Sequence, residues 1–268
     1  MRNVELLEES LTYMENHLKE DIRTEDVARA CHCSKSTLEK LFRCVNDVTV
    51  HEYLVRRRMM KAGRKLLDFP ETGILEIALE YGYSSHESFT RAFKQIWNCK
   101  PSEFRSRNRF SEVFPRLGIP LENGDDYMRE RRPYDISELY DLLSERKKCY
   151  IVCCDIKNMI QVNEISRKAG DLAILETMKR MESIAGAQDV IFRVGGDEFV
   201  MLTASEDVSY ANNLMEKLAG YNDRTFQYEK QEIPLSLHVG ITKSGESTVR
   251  YHELFTKIHT AILESKNQ

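Results

Sequence analysis

Arg193-Val194-Gly195-Gly196-Asp197-Glu198-Phe199 is the stretch that decides how the second half of this chain is read. Val190, Ile191 and Phe192 precede it, and Val200, Met201 and Leu202 follow. Two apolar runs rich in β-branched and aromatic residues, joined by Gly-Gly-Asp-Glu, predict a tight β-hairpin. Glycine there permits positive φ and lets a ligand approach the backbone closely. Two carboxylates at such a tip, beside bare backbone, can hold a hard divalent cation and the phosphates it carries.

Outward from the hairpin, the pattern is that of an α/β domain. Ile136, Leu139, Leu142 and Leu143 predict a helix before a first strand, Cys149 to Asp155. That strand is apolar almost throughout, as a central buried strand is, so a carboxylate closing it reads as a ligand. Two helices follow, the second from Gly170 to Ile184; then come the hairpin, a helix near 208–219, strands near 224–229 and 233–241, and a helix from Tyr251 to Lys266. Over residues 134–266 this resembles the GGDEF domains of the diguanylate cyclase family.

The resemblance implies roles residue by residue. Asp155 and Asp197 would be metal carboxylates holding Mg²⁺, with Asp197 and Glu198 catalytic if the domain is active. Asn163 and Asp171 would recognise guanine, Gly195 and Gly196 would lie against the nucleotide, and Lys266 would meet a phosphate. Departures stand beside these matches. Ile160 occupies the place of a phosphate lysine, and Lys157 that of a second aspartate. The Asn163–Asp171 interval is one residue short, which predicts that the pair does not converge on one base. Gly186-Ala187-Gln188-Asp189 has lost the arginine of an inhibitory element. His238 stands for a serine and His259 for an aspartate; each reads more simply as a satisfied edge or core histidine.

The first hundred residues are helical. Leu6, Leu7, Leu11, Met14 and Leu18 recur at helical spacing and predict a helix over 4–19. Thr24 opens a short helix to Ala30, Cys31-His32-Cys33 turns, and Ser34 caps a third helix bearing Leu38 and Phe42. Short helix, turn and capped helix make a helix-turn-helix. A long helix, Val50 to Leu67, is stopped by Pro70. The pattern then repeats: Ile74 to Glu80, Tyr81-Gly82-Tyr83 as turn, Ser84 or Ser85 as cap, and a second reading helix to Trp97, with Gly82 where left-handed backbone is needed. Pro101 opens a closing helix. With Phe89-x-Arg91-x-Phe93-Lys94 and Pro101-x-Glu103-Phe104-Arg105, residues 4–107 resemble the AraC-type double helix-turn-helix domain. The partner implied is double-stranded DNA, read in neighbouring major-groove segments. Ser36, Glu39 and Lys40 are expected to face outward on the first reader, and His86, Glu87 and Arg91 on the second. Arg43, Arg57 and Lys94 are expected on phosphates.

Composition agrees with this division. Residues 1–110 carry 19 Lys/Arg against 17 Asp/Glu, leaving 20 against 26 for the remainder. Residues 35–65 hold nine basic and three acidic side chains, a local stripe suited to a polyanion. Seven scattered cysteines argue for a reducing cytoplasm and inert thiols, Cys31-His32-Cys33 included. No apolar run reaches membrane length and no leader is apparent, so no membrane partner is expected. Pro115, Gly118, Pro120, Gly124 and Pro133 break the pattern between the domains, and Asn123-Gly124-Asp125-Asp126 reads as a solvated turn.

The expected architecture is therefore α+β and multidomain. An all-α double helix-turn-helix domain (1–108) is followed by a linker (109–133) and a degenerate GGDEF-like α/β domain (134–268). The leading reading is a DNA-binding transcription regulator whose second domain senses a guanine nucleotide or cyclic di-GMP. An active diguanylate cyclase, and a scaffold for a homodimer, are the alternatives.

Overall fold

The computed structural model describes residues 2–46, 48–107, 110–117, 137–146, 148–244 and 251–266. Asn123 to Asp126 lie outside the described residues. The chain forms two compact units, Met1–Phe110 with Phe114–Tyr134, and Ser111–Val113 with Asp135–Gln268.

The first unit is all-helical: α1 (Arg2–Asn16), α2 (Thr24–Ala30), α3 (Lys35–Asn46), α4 (Val50–Asp68), α5 (Ile74–Glu80), α6 (His86–Trp97) and α7 (Pro101–Phe104). Its cap chemistry is largely the expected one. Ser34 Oγ accepts from the Thr37 amide at 3.1 Å, and Ser85 Oγ from the Ser88 amide at 3.1 Å. Thr49 and Glu52 close a capping box at the head of α4. Gly82 takes φ 79°, as the turn before the second reader requires. α1 ends at Asn16, short of the expected residue 19.

Leu7, Leu11, Met14, Leu38 and Phe42 are buried around the first reader, and Phe89, Phe93, Trp97 and Phe104 around the second. α4 is the spine between them. Trp97 Nε1 donates to the Met59 carbonyl at 3.0 Å, and Gly63 leaves the room that the Trp97 ring needs. Arg58 Nε donates to the Leu18 carbonyl at 2.9 Å, holding the end of the α1 segment to the spine.

The second unit contains α8 (Ser137–Glu145), β1 (Tyr150–Ile156), α9 (Met159–Ile165), α10 (Arg167–Ile184), β2 (Val190–Arg193) and β3 (Glu198–Leu202). α11 (Val208–Ala219), β4 (Arg224–Tyr228), β5 (Gln231–Leu235), β6 (Leu237–Lys243) and α12 (Tyr251–Lys266) complete it. An antiparallel sheet has the order β2-β3-β1-β6, and β4 and β5 form a separate ribbon. β1 is central and buried along nearly its whole length, which is why its sequence is continuously apolar.

The expected single strand over 233–241 is two strands in two sheets, broken at Ser236. Asn222 imitates a strand neighbour there. Its Oδ1 accepts from the Leu237 amide at 2.8 Å, and its Nδ2 donates to the Leu237 carbonyl at 3.1 Å. The Ser236 carbonyl turns to the Lys157 amide at 2.9 Å.

α12 packs over β6 at Gly240, where a Cβ would collide with the Ala261 backbone carbonyl. Backbone cannot yield as a side-chain tip can. Gly240→Ala is therefore expected to destabilise the unit by about 1–3 kcal/mol, read as a lower urea midpoint.

Candidate functional sites

The two reader helices carry the candidate DNA interface. On α3, Ser36, Lys40 and Arg43 are exposed; on α6, His86, Glu87, Arg91 and Lys94 are exposed. The packing that buries Leu38, Phe42, Phe89 and Phe93 turns these residues outward. Glu39 departs from expectation: it is half-buried, and its Oε2 is buried without a hydrogen-bond partner.

Arg57 departs further. It is 3 % exposed, not on the surface. Its Nε donates to Glu15 Oε1 at 2.7 Å and its Nη1 to the Phe114 carbonyl at 2.9 Å. Tyr53 OH also donates to Glu15 Oε1, at 2.8 Å. Burial pushes the Glu15 carboxyl upward, but the hydrogen bonds and charge of Arg57 outweigh it, so the net value lies below the ordinary one. A guanidinium committed in this way cannot reach a DNA phosphate without breaking the core. Sequence spacing could not separate Arg57 from its neighbours Arg56 and Arg58.

The second candidate site lies at one end of the four-stranded sheet. β2 and β3 are joined through Val194–Asp197, and the Val194 and Gly195 amides both donate to the Glu198 carbonyl, at 3.0 and 3.2 Å. The turn is wider than a two-residue hairpin, and neither Gly195 nor Gly196 adopts left-handed backbone. Glycine serves a different purpose here: a Cβ at Gly195 would lie 2.5 Å from Glu198 Oε2. Its absence makes the cradle into which the Glu198 carboxylate folds.

Arg193 holds the turn from behind. It donates to the carbonyls of Gly195 (3.2 Å), Gly196 (2.7 Å) and Val113 (3.0 Å). Sequence reasoning missed this residue; its signal was an arginine on an otherwise apolar strand.

Strand register sets Asp155 directly opposite Glu198 on β3 and opposite His238 on β6. Directly opposed residues share one face, so a carboxylate, a carboxylate and an imidazole form a row. Asp155 and Glu198 are buried and His238 is half-buried. Burial raises the Cys153 thiol, and the Glu198 charge adds to that rise; Cys154 rises for the same first reason. Both thiols stay protonated and unreactive.

Asp197 is half-buried in the turn, and its carbonyl accepts from the Ile156 amide at 3.0 Å. Glu198, rather than Asp197, is the carboxylate across from Asp155. The chemistry of this donor set fits a divalent cation, because two buried like charges side by side are stabilised by a cation between them. Among the described residues, no three His, Cys, Asp or Glu side chains are already gathered around a metal position.

The remaining candidates are more scattered. Asn163 lies at the end of α9, and its Oδ1 occupies the space that a Cβ on Gly170 would need. Gly170 is the residue before Asp171 in α10. Ile160 is 72 % exposed and brings no charge to the α9 surface. Lys266 falls within α12, but its side chain, like that of His259, lies outside the described residues. Asp189 is committed to structure, accepting from the Gly186 amide (2.7 Å), the Ala204 amide (3.1 Å) and Tyr210 OH (2.6 Å).

Two capped reader helices on a helical spine define a helix-turn-helix DNA-binding domain. The sheet with its strand-end carboxylates and Gly-Gly turn defines a nucleotide-cyclase-like domain. Comparison with known proteins agrees. The family described as "Helix-turn-helix domain" matches residues 27–107, and "Diguanylate cyclase, GGDEF domain" matches residues 135–268. The chain belongs to the GGDEF family, joined to an AraC-type helix-turn-helix domain.

The Transposon Tn10 TetD protein of Escherichia coli is 37 % identical over 108 residues, 40 % of this chain and 77 % of that protein. The bifunctional diguanylate cyclase/cyclic di-GMP phosphodiesterase MucR of Pseudomonas aeruginosa is 30 % identical over 128 residues. That match takes in 47 % of this chain and 18 % of MucR. A solved AraC-type transcriptional regulator from Chromobacterium violaceum is 27 % identical, covering 39 % of this chain and 95 % of its own, at a TM-score of 0.36. Among the described residues, no helix is long and apolar enough to cross a membrane.

Proposed function

We propose that this protein is a cytoplasmic, sequence-specific transcription regulator whose GGDEF domain binds a guanine nucleotide or cyclic di-GMP and adjusts operator binding. The observation that carries the DNA part is the matched pair of readers. α3 and α6 each begin at a side-chain cap and each present cations, Lys40 and Arg43 on one, Arg91 and Lys94 on the other. A helix of this kind enters the major groove and reads base edges near its N-terminal part. Ser36 and His86 lie in the first turns and suit base contact; Arg43 and Lys94, further along, suit phosphates.

An operator is first selected from a random duplex library with the full chain, then titrated by fluorescence anisotropy. Lys40→Ala and Arg91→Ala are each expected to weaken binding by about 1–3 kcal/mol if the side chain reads a base, with a shallower salt dependence if it meets phosphate. The assignment of the reading faces is wrong if neither change moves the affinity. If the wild-type chain shows no salt-sensitive preference for any duplex, the regulator reading fails.

For the second domain, Asp155 and Glu198 would hold a divalent cation, Mg²⁺ in the reading implied by the family, and that cation would neutralise the charge of a bound triphosphate. Asn163 and Asp171 would meet the base, and Gly195 and Gly196 let the ligand approach the turn. Asp197, in the turn itself, is the carboxylate that would approach a reacting hydroxyl.

The buried Asp155–Glu198 pair also favours a second reading, an active diguanylate cyclase. Ile160 argues against it, since a missing cationic phosphate contact costs about 1.5–3 kcal/mol where it would have bonded a charged oxygen. Incubation with Mg²⁺ and GTP decides. Cyclic di-GMP formed above a trace and abolished by Asp197→Ala would reverse the ranking. Calorimetry against GTP, GDP and cyclic di-GMP tests the sensor role, and absence of heat for all three would leave a homodimerisation scaffold.

A further inference from the structure

Two consecutive carbonyls, those of Val113 and Phe114, are each held by a buried guanidinium. Val113 and Arg193 belong to the GGDEF unit, and Phe114 and Arg57 to the helical unit. Arg193 Nη1 donates to the Val113 carbonyl at 3.0 Å, while its Nε and Nη2 hold the Gly195 and Gly196 carbonyls of the turn. Arg57 Nη1 donates to the Phe114 carbonyl at 2.9 Å, while its Nε and Nη2 hold Glu15 of α1 at 2.7 and 3.1 Å. A guanidinium is a rigid planar fork, so tilting it to follow two acceptors also moves the donor aimed at a third. Peptide planarity leaves only φ and ψ of Phe114 between the two held carbonyls. Phe114 has little room to use them. It is 4 % exposed, and Arg56 lies over its ring, 4.6 Å from the centroid. Val113 is buried as well.

We propose that the Val113–Phe114 peptide is the relay by which nucleotide at the Gly195–Gly196 turn adjusts operator binding, with Arg193 and Arg57 as its two positioning residues. The relay rests on the reading of the GGDEF unit as a nucleotide sensor and supplies the route of regulation which that reading leaves open. A ligand that approaches the turn backbone reorients the Gly195 and Gly196 carbonyls. Arg193 follows them, and the Val113 carbonyl moves with its donor or loses it. One residue later the displacement reaches the Phe114 carbonyl, and with it Arg57 and the ion pair to Glu15. That pair joins α1 to α4, the spine between the readers. Two helices must fit two grooves at once, so a small change in the seating of α4 alters operator affinity. Nucleotide shifts that affinity only as far as it favours one setting of the relay over the other.

Operator affinity of the full chain is measured by anisotropy, first without nucleotide and then with saturating cyclic di-GMP or GTP in Mg²⁺. The ratio of the two affinities is the coupling, expected to be about fivefold or more in the wild type. Inserting Gly-Ser-Gly-Ser between Val113 and Phe114 alters no side chain. It should bring the ratio to one, with nucleotide affinity and nucleotide-free operator affinity little changed. Arg193→Gln should also bring the ratio to one. A merely structural Arg193 would instead weaken nucleotide binding and leave the ratio at saturation where it was. Hydrogen exchange on the wild type needs no variant. Nucleotide should change amide exchange at 112–115 together with the turn at 193–197. A ratio that survives the insertion, or a turn that responds to nucleotide while 112–115 does not, overturns the relay and spares the sensor. Nucleotide that gives no heat, or that binds and leaves wild-type operator affinity unmoved, overturns the sensor reading and the relay with it.

Discussion

Arg57→Met should destabilise the helix-turn-helix unit by about 3–5 kcal/mol, the cost of stranding one half of a buried ion pair. The change removes the donors that meet Glu15 and the Phe114 carbonyl and replaces them with an apolar chain of similar reach. The Glu15 carboxylate then keeps the hydrogen bond from Tyr53 OH and the more distant charge of Lys61. Thermal unfolding followed by circular dichroism should show the early loss of the helical unit. A drop of less than about 1 kcal/mol would mean that solvent already reaches the pair, as in surface ion pairs.

The double variant Glu15→Gln/Arg57→Met should recover part of the loss, because no buried charge is left behind. Acid distinguishes the variants again. The folded Glu15 carboxyl lies below its ordinary value of 4.5. Its stabilising share is therefore complete above that value and disappears as pH falls through the lower, folded one. The wild type should show this acid-dependent loss, and Arg57→Met should not. The same result bears on function: if Arg57 were a phosphate contact, the substitution would weaken DNA binding and leave stability intact.

Arg180→Ala is the second large expectation, this time in the GGDEF unit. Arg180 is buried on α10, and its guanidinium donates to three backbone carbonyls: Tyr221 at 3.0 Å, Leu235 at 2.8 Å and Arg224 at 2.8 Å. These carbonyls belong to both strands of the β4–β5 ribbon and to the turn before it. That ribbon has no hydrogen-bonded strand neighbour in the larger sheet, so one side chain does much to secure it.

Three carbonyls losing a charged donor should cost roughly 3 kcal/mol or more. Arg180→Lys should rescue little, because a single ammonium cannot reproduce a planar fork across three acceptors. Hydrogen exchange should show faster amide exchange over 224–235 before the rest of the unit responds. Uniform acceleration across the whole unit would instead make Arg180 part of the global core.

Ser34, Ser85 and Pro70 marked helix ends because caps and breakers act within a turn of themselves. The apolar run Tyr150–Cys154 announced a central strand because burial on both faces leaves no polar alternation. The break at Ser236 was illegible, since Ile233 to Ile241 alternates acceptably as one strand. What divides it is Asn222, fourteen residues upstream, donating and accepting at Leu237. Arg56, Arg57 and Arg58 are chemically identical, yet Arg57 is buried against Glu15, forty-two residues away, and Arg58 against the Leu18 and Glu20 carbonyls.

By itself, then, the sequence determined the element order, the two-domain plan and most of the exposed faces of the reader helices, because each depends on periodicities and caps a few residues long. Only the tertiary structure decided which carboxylate stands across from Asp155, that Gly195 makes room for Glu198 instead of supplying a left-handed turn, and that His238 joins the same row. Those relations are matters of strand register, which couples residues tens of positions apart and leaves no local trace in the chain.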